Sequence, residues 1–530
     1  MSSKVTVVRT SACLIAILCL LVPPGNASPL SAQSFEVLEA TIADAHAAMA
    51  AGSLTCRTLV QSYLDRITAY DQVGPRLNSV QNLNPRALTE ADSLDAALRA
   101  TGPVGPLHCV PVLLKDQVET TDMPTTYGSV LFKNFVSDRD ATIVLRMKAA
   151  GAIILAKTNM GEFASRYVGS AYGIIRNPYA TDRNPSGSSG GSSAGVAASF
   201  GMVAIGEDTG GSVRGPAAVA NLVGLRPTLQ LVSTYGMMPA NPTHDTMGPI
   251  TRTVTDAALL LDAIAGYDPN FPLTSYAFGH VPESYTASLT TDQLRGARIG
   301  VIREPMDGGA DPSSADYQKV RAVMDRAYAQ LSALGADVID PLEVQGLGIV
   351  REIGNNYETE GATNEYLAAL TNPPVRTFRD IMLSGRVNPW RARGMWGVAG
   401  KTTNDPGYLT VMHQREELRV AILKVMADND LDALVHATFD HQPTLIALDV
   451  ETNATPDDGY GWGDNRQLSP AIGFPALTVP AGFTTDELPV GLEFLGRPFT
   501  EEMLLGFGYA YEQATHHRRA PVVTPSLGGG

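Results

Sequence analysis

Short apolar runs that alternate with helix-like segments constrain the fold of this 530-residue chain more than any other feature. The runs at 109–115, 152–157 and 202–206 are too short for typical helices and end in polar or glycine-rich turns, a pattern typical of strands buried on both faces. Helix-like segments lie at 140–150, 192–200 and 253–265. The alternation predicts an α/β fold whose largely parallel or mixed sheet is covered on both faces.

Further apolar runs make the predicted sheet large. They lie at 297–302, 336–340, 431–437, 476–483 and 490–496. Before residue 104 the apolar spacing is helical, over 35–50 and 54–71, and Ser53 is the expected N-cap of the second helix. Because no repeat or long linker divides the chain, we predict a single domain over residues 28–530.

Two regions of this domain differ in character. Strand–helix alternation is clearest at about 104–270, which we interpret as the core. The stretch from about 345 to 470 lacks strong periodicity and contains all three tryptophans of the chain. We interpret it as a variable segment that caps or faces a substrate, because loops on a rigid scaffold commonly carry binding residues.

The first residues have the pattern of an export signal. Lys4 and Arg9 precede an apolar run at 11–22, and helix-breaking residues follow it. The run is shorter than the ~20 residues that span a bilayer, and small residues favour cleavage after Ala27. We therefore predict a signal peptide over residues 1–27 and a secreted or periplasmic protein without a stable membrane anchor. An uncleaved N-terminal anchor is the alternative.

The mature chain would keep two cysteines, Cys56 and Cys109. An oxidising compartment would allow them to pair. Because Cys56 falls in a predicted surface helix and Cys109 just precedes a predicted strand, free thiols are equally compatible with the sequence. Asn453 begins an N-glycosylation acceptor sequence that would be used only in a eukaryotic source.

The charge balance argues against nucleic acid as a partner. The chain has 39 Lys and Arg against 54 Asp and Glu, a formal charge of −15, and no basic cluster that could follow phosphates. Histidine, cysteine and acidic residues do not show metal-ligand spacing, and no nucleotide-binding glycine motif is present. We predict no cofactor and no metal, and the sequence leaves a homo-oligomer open.

The stretch 185–216 is the most informative, with seven serines and nine glycines. A flexible linker is disfavoured because 194–206 is a helix former followed by a buried-strand run. Two GxSxG patterns offer Ser189 or Ser193 as the nucleophile of a Ser-His-Asp esterase, although no strand-like run precedes them. Histidines that keep this alternative open follow at His436, His441, His516 and His517.

The same stretch resembles the signature of the amidase signature family, serine hydrolases with a Ser–cisSer–Lys triad. Matching positions lie at 187–191, 206, 208, 210–214, 216 and 223–228. Segments at 111–117, 124–129, 245–254, 473–483 and 488–499 also correspond to the family. The resemblance covers most of residues 54–515, and it implies an α/β/α sandwich around a large twisted mixed β-sheet.

The resemblance implies a role for each triad residue. Ser212 is the nucleophile, Ser188 is the bridging serine that follows a cis peptide bond, and Lys115 is the base. A lysine can act as a base near neutral pH only if burial and local dipoles lower its pKa. Lys115 meets the first condition in the sequence, because it ends a predicted buried strand.

Residues around the triad receive supporting roles. Backbone N–H groups of Thr209, Gly210 and Gly211 are the predicted oxyanion hole, where glycines allow close approach. Asp208 and Arg214 are interpreted as an ion pair that holds the loop.

Other positions near the triad are supporting residues or departures from the family. Ser189, next to the bridging serine, is assigned a supporting role. Glu207 stands where threonine is common in the family; it either shapes the preference for substrate charge or faces solvent, and we favour the solvent-facing interpretation. Ser186 and Cys109 also depart from the family pattern, without touching the triad.

These residues predict an exported hydrolase of small-molecule amides that works through a Ser212 acyl-enzyme. The alternatives are a secreted Ser-His-Asp esterase and a binding protein that keeps the fold without activity. A further family role, within the amidotransferase that acts on charged tRNA, fits poorly with the signal peptide and the charge of −15.

Overall fold

A large mixed sheet forms the centre of the protein, as the apolar runs predict. The computed structural model describes residues 1–7, 35–354 and 356–528, so the predicted cleavage site and the apolar run before it lie outside the described residues. The strands are β1 Val80–Leu83, β2 Pro111–Lys115, β3 Ile153–Thr158, β4 Val168–Gly169, β5 Gly173–Ile174, β6 Val203–Asp208, β7 Val223–Arg226, β8 Thr246–Thr251, β9 Arg298–Val301, β10 Asp337–Ile339, β11 Ala433–Ala437, β12 Ala476–Phe483 and β13 Pro489–Leu495.

Eleven of these strands form one sheet, in the order β1-β3-β2-β6-β8-β7-β12-β13-β11-β9-β10, and β4 and β5 form a separate pair. β2 runs parallel to both β3 and β6, whereas β8 is antiparallel to β6. Every residue of β2, β3 and β6 is buried, which is expected for strands covered on both faces. The sheet is therefore mixed and layered, as predicted.

Helices cover the sheet, and the first of them form an N-terminal helical layer. They are α1 Ile42–Ala50, α2 Cys56–Tyr70, α3 Ala87–Thr101, α4 Thr142–Ala149, α5 Gly190–Ala197, α6 Arg214–Val219, α7 Val254–Ile264, α8 Ala315–Ala333, α9 Thr359–Ala368, α10 Phe378–Leu383, α11 Pro389–Val398, α12 Pro406–Asp428, α13 Leu468–Ile472 and α14 Glu501–Thr515. The N-cap of α2 is Thr55, whose side chain accepts a hydrogen bond from the Thr58 amide, so the prediction of Ser53 was wrong. None of the helices in 35–354 and 356–528 combines the length and apolar character needed to cross a membrane.

The pairing of the central strands brings the residues of the predicted site to one edge of the sheet. Leu114 of β2 lies opposite Ile205 of β6, so the carboxyl ends of these parallel strands meet at one edge. Lys115 is the last residue of β2, and Glu207 lies near the end of β6. On the other side of β6, antiparallel β8 pairs Thr246 with Asp208, which brings the residues before β8 to the same edge.

The two cysteines of the described chain form a disulfide, which the sequence left undecided. Cys56 and Cys109 have Cα atoms 5.5 Å apart, and both side chains are completely buried. Cys56 begins α2 on its inward side and is not at the surface, contrary to the expectation of a surface position. The bond therefore joins the N-terminal helical layer to the segment that enters β2.

Removing the disulfide is expected to destabilise the protein. The bond spans 53 residues of sequence, and loop closure of that length stabilises a chain by up to about 4 kcal/mol. We expect the double variant Cys56→Ser/Cys109→Ser to unfold at a lower temperature than the wild type, measured by calorimetry. Reductant should lower the wild-type midpoint and leave that of the double variant unchanged; an insensitive wild type would contradict the bond.

Candidate active site

The Lys115 ammonium group lies in a buried polar cluster at the edge where β2 and β6 end. Its side chain has no exposed surface. Nζ donates to Ser188 Oγ at 2.7 Å, to Glu207 Oε2 at 2.8 Å and to the Glu207 carbonyl at 3.2 Å. Burial lowers the pKa of Lys115, although the nearby carboxylates, Glu207 first, act in the opposite direction. A lysine in this setting has the direction of shift that a general base requires.

Ser188 is held by the loop that leads into α5. The peptide bond between Gly187 and Ser188 is cis, as the family resemblance implies. The Ser188 carbonyl accepts a hydrogen bond from the Gly161 amide at 3.2 Å, and the side chain is completely buried. Its hydroxyl is therefore fixed against Lys115 and shielded from bulk water.

Ser212 lies between the loop that follows β6 and the start of α6. Gly211 before it has a φ of +100°, a conformation that favours glycine. The Ser212 side chain is 9% exposed, whereas those of Ser188 and Lys115 have no exposure. Ser212 thus lies at the boundary between the buried cluster and the outside.

Arg466 joins the two serine-bearing loops. Its Nη1 donates to the Gly211 carbonyl at 3.0 Å and contacts the Gly187 carbonyl at 3.5 Å. Those carbonyls belong to the residues immediately before Ser212 and Ser188, so one guanidinium holds both serines on the same side of the fold. Arg466 is itself held by a salt bridge to Asp464 at 2.5 Å.

A buried ion network fixes the loop before Ser212. Asp208 pairs with Arg214 and with Arg226, each at 3.2 Å, and Arg214 also pairs with Glu493. Burial alone would raise the pKa of Asp208, but the two arginines hold it well below its usual range. Asp208 and Arg214 therefore form the loop-holding pair that their sequence positions suggest.

One predicted oxyanion donor is already engaged. The Gly211 amide donates to Asp208 Oδ1 at 2.7 Å, so it is not directed at a substrate oxygen in this structure. Thr209 and Gly210 are the other predicted donors, and they occupy the same turn. In this structure the Gly211 amide binds the loop-holding carboxylate, and the role of Thr209, Gly210 and Gly211 as oxyanion donors stays a prediction.

Glu207 does not face solvent, contrary to the expectation from the sequence. Its side chain is completely buried and bonded to Lys115. The reason is local: every position of β6 is covered, so this strand has no solvent-facing side. The carboxylate also accepts a hydrogen bond from Thr209 Oγ1, which lies 2.8 Å from Asp245 Oδ1.

The serines of the alternative esterase are engaged elsewhere. Ser189 Oγ donates to the Glu207 carbonyl at 3.3 Å, and Ser193 Oγ donates to the Gly190 carbonyl at 3.1 Å. Both side chains are completely buried. In the described chain His436 bonds to the neighbouring Ala437 carbonyl, and His441 pairs with Asp316. Neither serine is thus placed as the nucleophile of a Ser-His pair.

A pocket lies beside the segment that follows Lys115. Apolar side chains line most of it: Tyr127, Met160, Phe163, Met238, Phe378 and Met395. Gln117, two residues after Lys115, also lines it; this side chain is 1% exposed, and neither of its amide atoms has a hydrogen-bond partner in the described chain. The predicted variable segment contributes several walls, including Phe378 and Met395.

Several site residues were not identified from the sequence. Arg466, Asp245 and Gln117 have no motif of their own, and only the fold brings Arg466 to the serine loops. Asp245 begins a family-like segment, which was the one available signal for it. Within the described ranges, no group of three His, Cys, Asp or Glu side chains could hold a metal ion.

The protein has an α/β fold, and its site places a buried lysine in hydrogen-bond contact with a serine. Both features are typical of serine enzymes whose base is a lysine. The amidase family model matches residues 58–505. A probable amidase of Arabidopsis thaliana is 33% identical, with 96% of each chain covered. A glutamyl-tRNA(Gln) amidotransferase subunit of Thermosynechococcus vestitus is 35% identical over 87% of this chain and 95% of its own.

Solved structures agree in fold. The peptide amidase of Stenotrophomonas maltophilia has 35% identity and a TM-score of 0.79, covering 92% of this chain and 99% of its own. A bacterial aryl acylamidase of the amidase signature family has 25% identity and a TM-score of 0.73, covering 90% and 97%. The chain belongs to the amidase signature family. It is an amidase, a hydrolase of amides.

Proposed function

We propose that the protein is an exported amidase that cleaves carboxamides through an acyl-enzyme on Ser212, with Ser188 and Lys115 as the proton relay. The observation that carries the proposal is the 2.7 Å hydrogen bond between Lys115 Nζ and Ser188 Oγ inside a fully buried cluster. This contact places Lys115 Nζ against the serine whose proton it receives once the amine is neutral. The greater exposure of Ser212 leaves it as the serine that a substrate reaches.

The proposed reaction uses these groups in sequence. Ser212 Oγ attacks the carboxamide carbon while its proton passes to Ser188 Oγ, whose own proton passes to neutral Lys115. The negative charge that develops on the carbonyl oxygen is met by amides of the Thr209–Gly210 turn. The relay returns the proton to the leaving nitrogen, which departs as ammonia or an amine. Water repeats the sequence and releases the acid.

The pocket that Gln117 lines supports an apolar acyl group as the preferred part of the substrate. Aromatic and methionine side chains line it, and such surfaces bind apolar groups by removing them from water. Gln117 can pair with one additional polar group, because its amide is unsatisfied. Of the two solved structures compared above, one is named a peptide amidase and the other an aryl acylamidase. Both names are compatible with an apolar acyl pocket.

A panel of amides tests this function. Purified enzyme should release acid and amine in equal amounts from aryl-substituted and alkyl carboxamides, followed by chromatography. Single replacements of His436, His441, His516 and His517 should leave turnover in place, whereas an esterase of the Ser-His-Asp type would lose it with one of them. Binding of amides without any turnover across the panel would favour the inactive binding protein.

Export rests on two features of the chain. Residues 1–27 have the basic start and short apolar run of a signal peptide, and the buried disulfide fits an oxidising compartment. We expect the mature protein to begin at Ser28, measured by N-terminal sequencing of protein from the culture medium or periplasm. Protein that retains Met1 and stays in the cytosol would contradict export.

A further inference from the structure

Among the described residues, Glu207 is the hydrogen-bond partner of the Lys115 side chain that the proposed mechanism does not use. It follows the buried run of β6, and its carboxylate oxygen lies 2.8 Å from Lys115 Nζ with both side chains fully buried. Where the family resemblance leads us to expect an uncharged threonine, this chain places a charge directly on the proposed base. Burial removes water from a carboxylate at a cost in free energy, and interactions with other groups must compensate for that cost.

The Thr209 hydroxyl links Glu207 to a second buried carboxyl group, that of Asp245. The Thr209 hydroxyl lies between Glu207 Oε1 and Asp245 Oδ1, yet it has a single proton to donate. One of the two carboxyl groups must therefore supply a proton of its own. Burial, together with the charge of Glu207, raises the pKa of Asp245 well above its ordinary value. The shared proton is therefore expected on Asp245, while Glu207 forms the ion pair with Lys115.

The other acidic groups near Lys115 are engaged by partners of their own. Asp208, the next carboxylate on β6, is paired with Arg214 and Arg226. Asp245, from the loop before β8, accepts hydrogen bonds from the amides of residues 240 and 241 in addition to its contact with Thr209. From β3, Lys157 lies 3.7 Å from Asp116, which follows Lys115 in the chain. Glu207 is therefore the carboxylate whose direct charged partner is Lys115.

We propose that Glu207 is a positioning residue for this amidase: its carboxylate holds Lys115 Nζ against Ser188. The inference rests on the proposed relay, in which Lys115 is the base. Two of the three acceptors around Lys115 Nζ belong to Glu207, and the third is Ser188. The geometry leaves the amine directed at the serine whose proton it receives.

This role has a signature that a purely structural role lacks. Removing the carboxylate leaves burial uncompensated, so Lys115 loses its proton at lower pH. The acidic limb of the kcat/KM profile should then move to lower pH by about one unit or more. The weaker base should also lower the rate on the alkaline plateau, by roughly tenfold, because rates follow basicity. The wild-type and variant profiles would therefore cross.

The test uses two variants and one control, all in the full mature chain. Glu207→Gln keeps the shape of the side chain, and Glu207→Thr installs the residue common in the family. Glu501→Gln is the matched control, because Glu501 is also buried but bonds the Thr228 amide and not Lys115. Thermal unfolding checks that each variant folds, and kcat/KM is measured against pH for amide hydrolysis.

We expect the acidic limb to move down in both Glu207 variants and to stay in place in Glu501→Gln. A limb that stays at the wild-type position in a folded Glu207 variant, or that moves to higher pH, would overturn the inference. Absence of turnover in the wild type at every pH would instead refute the proposed function. If Glu207→Gln does not fold, the same readings apply to Glu207→Thr.

Discussion

Replacing Ser212 by alanine should lower kcat for amide hydrolysis by about 10⁴- to 10⁶-fold, because the reaction then has no nucleophile. The fold should survive, since Ser212 lies in a turn and its side chain is partly exposed at 9%. Steady-state kinetics give the loss, and circular dichroism checks the fold.

A second serine supplies the comparison. Ser189→Ala removes a buried hydroxyl that bonds the Glu207 backbone, so it should reduce stability and leave most of the activity.

Because triad residues act as a unit, Ser188→Ala combined with Ser212→Ala should cost little more activity than Ser212→Ala alone. An active Ser212→Ala enzyme beside a dead Ser189→Ala enzyme would contradict the assignment.

Lys115→Ala is expected to remove most amidase activity, by roughly 10³-fold or more, together with the acidic limb of the pH profile. The direction of the pH dependence follows from the role of Lys115 as the base. The base works as the neutral amine, so wild-type activity should rise with pH as Lys115 loses its proton and then hold on the alkaline side. Burial, the largest influence, lowers the Lys115 pKa and moves this rise towards neutral pH. Ester hydrolysis should suffer less, because an alcohol leaving group needs less protonation than an amine.

The chain contains a matched control for this lysine. Lys157 on the neighbouring strand β3 is also fully buried, and burial lowers its pKa to about 8 despite the nearby Asp116. It bonds Thr125 at 2.8 Å and has no contact with Ser188. Lys157→Met should therefore keep the acidic limb, even if the protein becomes less stable. An acidic optimum that Lys115→Ala leaves unchanged would contradict the lysine mechanism.

The central strands were predictable because their signal is local. β2, β3, β6 and β12 are continuous apolar runs bounded by turns, and each lies within two residues of its predicted position. β7 and β8 were missed because VGLR is short and TMGPIT contains glycine and proline. Their pairing with each other and with neighbouring strands, and not their own composition, makes them strands.

The residues of the site also divide into those with a local sequence signal and those without one. Lys115, Ser188 and Ser212 lie in short motifs, so a resemblance can point to them. Arg466 lies more than 200 residues from both serine loops, and no local pattern reveals a contact of that separation. Glu207 was misplaced for another reason: an acidic residue after an apolar run is usually solvated, and only the covering of both faces of β6 shows that this one is buried.

Trapping the acyl-enzyme tests the proposed mechanism most directly. Enzyme mixed with an activated aryl ester of an apolar acid is quenched in acid during the first turnovers, and its peptides are mapped by mass spectrometry. We expect one acyl group on Ser212 and none in Ser212→Ala enzyme. An acyl group on Ser189 or Ser193, or amide turnover with no acyl group on any serine, would contradict the mechanism.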